Sequence, residues 1–183
     1  IPFVESSFNY RARSKVGASG IWQFMRYTAK ERMKLSASVD ERNDPLRATR
    51  AAADMLKQNF KMLDTWPLAV TGYNHGPSGV RRWVRKLGTK DLTEMLSKRS
   101  RRFGFASANF FASFLAAVEV EKNASKYFGK VYWQQPQQGQ TIKLSKNVSH
   151  KELVKWFDGD LEKAKDHNRH IRKAVWKGHL RIG

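Results

Sequence analysis

Residues 1–25 read Ile1-Pro2-Phe3-Val4-Glu5-Ser6-Ser7-Phe8-Asn9-Tyr10-Arg11-Ala12-Arg13-Ser14-Lys15-Val16-Gly17-Ala18-Ser19-Gly20-Ile21-Trp22-Gln23-Phe24-Met25. One carboxylate, Glu5, follows an apolar run and shares the stretch with Phe8, Ile21, Trp22, Phe24 and Met25. An apolar wall disfavours the charged form of a carboxylic acid, so the pKa of Glu5 is expected to rise. A raised Glu is what general-acid chemistry near neutral pH requires. From the residues alone a second role fits as well: Glu5 caps a helix or pairs with one of the many Arg and Lys, because structural ion pairs also perturb pKa values.

Outward from this stretch the pattern is helical. After a turn at Gly17–Gly20, residues 26–38 are expected to run as a helix and then break. Asp44-Pro45 reads as a helix start, with Asp as N-cap and Pro at the first helical position. Ala52, Met55, Leu56, Phe60 and Leu63 then recur at helical spacing. Trp66-Pro67 opens the next helix and Asn74-His75-Gly76-Pro77 ends it. Val80, Trp83, Val84 and Leu87 form another apolar face closed by Gly88, and Leu92, Met95 and Leu96 a short helix. Residues 107–128 are expected to be the longest helix, with Phe110, Phe111, Phe114, Leu115 and Val118 on one face. No segment of 1–128 alternates with period two.

The composition then shifts. Gln134-Gln135-Pro136-Gln137-Gln138-Gly139-Gln140 is polar and turn-rich and reads as a linker. Beyond it Thr141–Leu144 is a strand candidate, His150–Phe157 and Leu161–His167 are two short helices split at Asp158-Gly159, and Leu180–Ile182 is a closing strand.

The whole chain has 183 residues, 40% of them hydrophobic, enough for one substantial core plus a small module. No apolar run is long enough to span a membrane. The formal net charge is +19, with clusters at Arg81-Arg82, Arg85-Lys86 and Lys98-Arg99-Ser100-Arg101-Arg102. Such a field favours polyanions: nucleic acid, acidic lipid surfaces or an anionic cell wall. There is no cysteine, which excludes disulfides and cysteine-based metal sites. The five histidines, His75, His150, His167, His170 and His179, lack metal-ligand spacing with nearby carboxylates. Neither metal nor organic cofactor is expected.

Glu5-Ser6-x-Phe8-Asn9 followed by Ser14-x-x-Gly17-Ala18-x-Gly20-x-x-Gln23-x-Met25 resembles the signature of the soluble lytic transglycosylase family, lysozyme-like enzymes that cut the glycan strands of bacterial peptidoglycan. A second block of that family ends in Ala-Tyr-Asn-x-Gly, and Val70-Thr71-Gly72-Tyr73-Asn74-His75-Gly76 stands in its place. Val39-Asp40-Glu41-Arg42-Asn43-Asp44-Pro45 is similar to the membrane-bound D-type branch. The resemblance covers roughly residues 1–128. It implies a mainly α fold: a lysozyme-like catalytic domain over residues 1–132, a linker at 133–140, and a small β-α-α-β unit at 141–183. That unit resembles the LysM glycan-binding module, although the Gly-Asp-Thr usual after its first strand is missing. Only four residues precede Glu5, so the catalytic helix is expected to be N-terminally incomplete.

What the resemblance implies about chemistry is specific. Glycosidases normally use two carboxylates. In this family a single Glu first protonates the oxygen between N-acetylmuramic acid and N-acetylglucosamine, then takes the proton of the muramic C6 hydroxyl, closing a 1,6-anhydro ring without water. Glu5 matches that residue. Ser14 matches the serine whose hydroxyl approaches the carboxylate, Gln23 and Met25 residues lining the sugar cleft, Tyr73 the tyrosine facing the Glu, and Asn74 the turn that holds it. Peptidoglycan strands are the implied partner, with no nucleic acid expected and the charge suited to an anionic wall or membrane surface. A monomer in the periplasm or cell envelope is expected, with no export signal in this chain. Two positions depart from the pattern: Gly72 replaces Ala, and the block Glu-Thr-x-x-Tyr-Val appears as Ala106-Ser107-Ala108-Asn109-Phe110-Phe111, so that Phe110 stands where the family has tyrosine. Two other readings compete: a hydrolytic muramidase on the same scaffold, with Asp40, Glu41 or Asp44 as second carboxylate, and a catalytically silent wall- or nucleic-acid-binding protein held by charge.

Overall fold

The computed structural model describes residues 1–98, 105–133, 135 and 139–183, and the backbone alone at 105–108. Most of the basic run Lys98–Arg102, four residues of the expected linker and the side chains of Ala106, Ser107 and Ala108 lie outside that description. The chain divides into two compact units. One holds residues 52–131 with Ile1 and Phe3, the other Pro2, residues 4–51 and residues 132–183.

The first of these units is helical. Helix α3, Pro45–Leu63, crosses into it, and α4 (Trp66–His75), α5 (Pro77–Leu87), α6 (Leu92–Ser97), α7 (Phe105–Lys122) and α8 (Ala124–Phe128) follow. Several boundaries have a local cause. Asp44 Oδ1 accepts from the amides of Leu46 and Arg47 at the start of α3, and Asp91 does the same for Thr93 and Glu94 at α6. Gly76 separates α4 from α5 at a φ of 85°, and Gly88 ends α5 in the left-handed region. Leu63, Leu68, Val80, Trp83, Leu92 and Met95 make the core, each burial stabilising by roughly 1.5–3 kcal/mol. Arg81, Arg82, Arg85 and Lys86 stay exposed on the outer side of α5.

Two helical expectations are corrected. The expected helix at 26–38 is only α2, Arg26–Lys30, after α1 at Pro2–Ser6. The Ala29 carbonyl takes the amides of both Arg32 and Met33, closing the turn. Ser36 Oγ then accepts from the amides of Ser38 and Val39, a side-chain turn that displaces helical bonding. The expected long helix at 107–128 is interrupted at Asn123 (φ −111°), whose amide donates to the carbonyl and carboxylate of Glu119. At 19 residues α3 is longer than α7, which has 18.

In the second unit the tail forms α9 (His150–Lys155), α10 (Leu161–His167) and α11 (Lys173–Trp176). The first two stand where two helices were expected. A reciprocal cap between Ser149 and Glu152 starts α9. Asp158 and Gly159, both at positive φ, separate α9 from α10. The expected strand at 141–144 does not form: Ile142 is exposed, and the bridge to Ile182 comes from Val148. Among the described residues all β pairing is isolated bridges, so the fold is mainly helical. The tail's core is Val148, Leu153, Ile171, Val175 and Ile182 packed with Val39. Backbone bonds join the same segments: the Asp40 amide donates to the His170 carbonyl (2.7 Å) and the Arg172 amide to that of Ser38 (2.9 Å).

Gly20 is fixed twice over. Its φ is 79°, and a Cβ there would overlap the Arg42 carbonyl. Gly17 has φ 91° but open space around it. Gly20→Ala should therefore destabilise by at least about 2 kcal/mol, lowering Tm by roughly 4–8 °C. Gly17→Ala, bearing only the backbone strain, should lose about half as much. Equal Tm losses in the two variants would contradict this packing.

Candidate active site

Glu5 lies on α1, a single helical turn too short to be stable alone. Tertiary bonds hold it. The hydroxyl of Ser6 donates to the carbonyl of Ile21 (2.9 Å). Past α1 the chain turns through Ser7 and Phe8 at φ 49° and 59°, a conformation rare for a bulky side chain and concentrated at functional sites.

The Glu5 carboxyl is half-buried, and desolvation holds it above the ordinary carboxylate range. The positive charge of the Ile1 amino group pulls the other way, and burial outweighs it. No Arg or Lys charge is among the causes of its shift.

The turn beside it is built from its own backbone. Ser14 Oγ accepts from the Ala18 amide (3.0 Å) and so keeps its own proton to donate. Gln23 sits at φ 48° and gives its side-chain amide to the carbonyls of Gly20 (2.8 Å) and Ala12 (3.2 Å). Its side chain therefore shapes the turn. Met25 is 43% exposed, free to line a cleft. Glu5, Ser14, Gln23 and Met25 fall in one compact unit, Tyr73 and Asn74 in the other. Tyr73, half-buried, and Asn74, exposed, lie in the last turn of α4. Phe110, the departure from the family's tyrosine, is buried.

Beneath the turn lies a buried ion pair. Arg42 Nε and Nη2 donate to the two oxygens of Asp40, both at 2.9 Å. Arg42 Nη1 donates to the carbonyls of Gly17 (2.8 Å) and Phe24 (3.0 Å). Burial pushes the Asp40 carboxyl up, but the hydrogen bonds and charge of Arg42 and the charge of Arg172 outweigh it and hold it below its ordinary value. Ser19 Oγ donates to Asn43 Oδ1 (2.8 Å), tying the same two segments.

Profile comparison matches the transglycosylase SLT domain over residues 1–96 of this chain. The chain belongs to the transglycosylase SLT family. Two relatives named membrane-bound lytic murein transglycosylase D, from Escherichia coli K12 and from E. coli O6:H1 strain CFT073, are each 30% identical to it over 129 residues. Those residues are 69% of this chain and 28% of either relative, so the chain spans less than a third of the length of these curated relatives.

Within this SLT domain the carboxylates suggested as a second catalytic group are all engaged. Asp40 is fully buried between arginines. Glu41 takes the Lys34 amide and the Arg47 guanidinium. Asp44 caps α3. Sequence reasoning gave no role to Ser6, although it stands in the matched block, nor to Arg42, read only as part of a branch marker. The signal for Arg42 was an Asp-x-Arg spacing that places a guanidinium against a carboxylate two residues away. Among the described residues no group of three or more His, Asp or Glu is arranged to hold a metal ion.

The burial of Glu5 has a sign that stability can read. A raised folded pKa contributes stability that is whole below the unfolded value near 4.5 and is lost as pH rises through the folded value. Gln cannot ionise. Glu5→Gln should therefore match wild type in Tm at about pH 4 and exceed it at about pH 8. A variant less stable than wild type at the higher pH would contradict the desolvated carboxyl.

Proposed function

We propose that this protein is a peptidoglycan lytic transglycosylase that cleaves the β-1,4 bond between N-acetylmuramic acid and N-acetylglucosamine, with Glu5 as acid and then base. The observation that carries the reading is Glu5 itself: half-buried and raised by desolvation, inside the segment that matches the family. Its proton goes to the departing glycosidic oxygen. The carboxylate so formed takes the proton of the muramic C6 hydroxyl as that oxygen bonds to C1. Acid and base in turn regenerate Glu5, and no water is consumed. A positioned acid or base is worth roughly 10²–10⁴-fold; the rest comes from complementarity to the charge that develops. In this reading Ser14 offers its free proton to the carboxylate, Met25 lines the glycan cleft, Gln23 keeps the turn in shape, and Tyr73 and Asn74 bind substrate.

Hydrolysis needs a second carboxylate to activate water. Asp40, Glu41 and Asp44 are each held by protein groups, which favours the single-Glu mechanism. Placement in the cell envelope follows from the substrate and from the relatives' names. Among the described residues no helix is long and apolar enough to cross a membrane. The reading also gives residues 141–183 a LysM-like glycan-binding role, which by tethering would add to the digestion of insoluble sacculi.

The test is mass spectrometry of glycan released from purified sacculi. Wild type should release 1,6-anhydro ends, and Glu5→Gln should lose at least about 10²-fold of that activity while remaining folded. A folded Glu5→Gln variant with activity close to wild type would sink the single-Glu mechanism. Release of nothing by wild type would leave a binding protein.

A further inference from the structure

We propose that the C-terminal segment is a working part of the catalytic turn, with Arg172 as a positioning residue that acts through the Asp40–Arg42 pair. The proposal rests on the transglycosylase reading of Glu5 for its enzymatic consequence, and on geometry alone for the coupling. Arg172 lies outside the residues 1–96 that match the family.

The connection is a continuous path of hydrogen bonds. The Arg172 amide donates to the Ser38 carbonyl (2.9 Å). Its Nε donates to the Val39 carbonyl (3.2 Å) and its Nη2 to Asp40 Oδ2 (3.1 Å). Asp40 is fully buried, and both its oxygens also hold Arg42. The remaining nitrogen of Arg42, Nη1, grips the carbonyls of Gly17 and Phe24. Those two carbonyls bracket the turn in which the Ser19 amide bonds to Phe24, the Gly20 amide to Ala12, and the Ile21 carbonyl receives Ser6. Ser6 is the residue after Glu5.

Arg172 matters because a carboxylate torsion is soft. The terminal χ of Asp is broad and roughly two-fold, so a single fork fixes the two groups to each other but leaves the pair able to turn about that torsion. Arg42 takes both oxygens in one plane; Arg172 reaches Oδ2 from another segment and locks the rotation. Without it the carboxylate is free to swing, the Arg42 fork follows, and Nη1 leaves the two carbonyls. A displacement of about 1 Å at a catalytic group can cost as much as 10²-fold in rate. A buried carboxylate with one donor fewer also draws water, which loosens the same turn.

A tail that served only to hold glycan would behave in the opposite way. It would raise the local concentration of the wall at the active site without touching the chemistry. Short soluble glycans would then be turned over normally whatever is done to the tail.

The experiment uses the full chain in four forms: wild type, Arg172→Gln, Arg172→Lys, and Lys173→Ala as an exposed neighbour. Amide hydrogen exchange at Ser19 and Gly20 is read against the amides of α4, and kcat and KM are measured on soluble muropeptides and on sacculi. Arg172→Gln should exchange at least about tenfold faster at Ser19 and Gly20 with α4 unchanged. Its kcat should fall about tenfold on both substrates, with KM within about twofold. Arg172→Lys, which keeps the charge beside Asp40, should recover part of both losses, and Lys173→Ala should match wild type. Should Arg172→Gln fail to fold, Arg172→Lys carries the comparison, with partial losses of the same pattern. Unchanged exchange in the turn overturns the proposal. So does faster exchange everywhere with kcat intact, the mark of a residue that is merely structural, and so does a loss confined to sacculi. Wild type that releases no anhydro product sinks the enzymatic reading alone, because the exchange result still decides the coupling.

Discussion

The pairing of Asp40 with Arg42 is the constraint from which the unit containing Glu5 is built. A carboxylate with no exposure to solvent is unfavourable unless its charge is matched and its oxygens are satisfied. Here two guanidinium nitrogens meet two oxygens in a fork, and a second arginine completes the set. The pair has little claim as a source of net stability, because desolvation offsets much of the attraction. Its use is directional. A guanidinium held by two bonds has its third nitrogen aimed, and that nitrogen decides where the Gly17 and Phe24 carbonyls stand.

Other features of the turn fall into place around this aim. Gly20 is a glycine because the Arg42 carbonyl occupies the space of its side chain. Gln23 accepts a left-handed backbone and compensates by bonding two carbonyls. The Ser6 hydroxyl then fastens a one-turn helix to the turn. Glu5, by contrast, is governed by burial, which outweighs the charge of the Ile1 amino group. A desolvated carboxyl is disfavoured as an anion, and in the proposed mechanism that disadvantage is what lets it give up a proton to the leaving oxygen.

Much of this was legible in the sequence, and what was not has a physical reason. Helix boundaries marked by Asp44-Pro45, Trp66-Pro67, Gly76-Pro77 and Gly88 were readable because caps and breakers act within a few residues. The early end of α2 was not, since Ser36 is a neutral residue until its hydroxyl captures the amides of Ser38 and Val39. The break at Asn123 was missed for the same reason. Burial of Glu5 followed from its apolar neighbours. The role of Arg42 did not, because it depends on carbonyls 18 and 25 residues away. Arg172 was out of reach entirely: its partner Asp40 is 132 residues distant, and no periodicity encodes a contact of that range.

In the proposed mechanism the chemistry falls to one carboxylate, while the neighbouring acids at 40, 41 and 44 are held by protein groups. Water is the reagent that separates this arrangement from a two-carboxylate hydrolase. Digestion of sacculi in oxygen-18 water, followed by mass spectrometry of the released fragments, tests the point most directly. A single Glu that closes the ring on the C6 hydroxyl predicts anhydro ends, lighter than reducing ends by one water and free of label. Reducing ends carrying oxygen-18 would contradict the account.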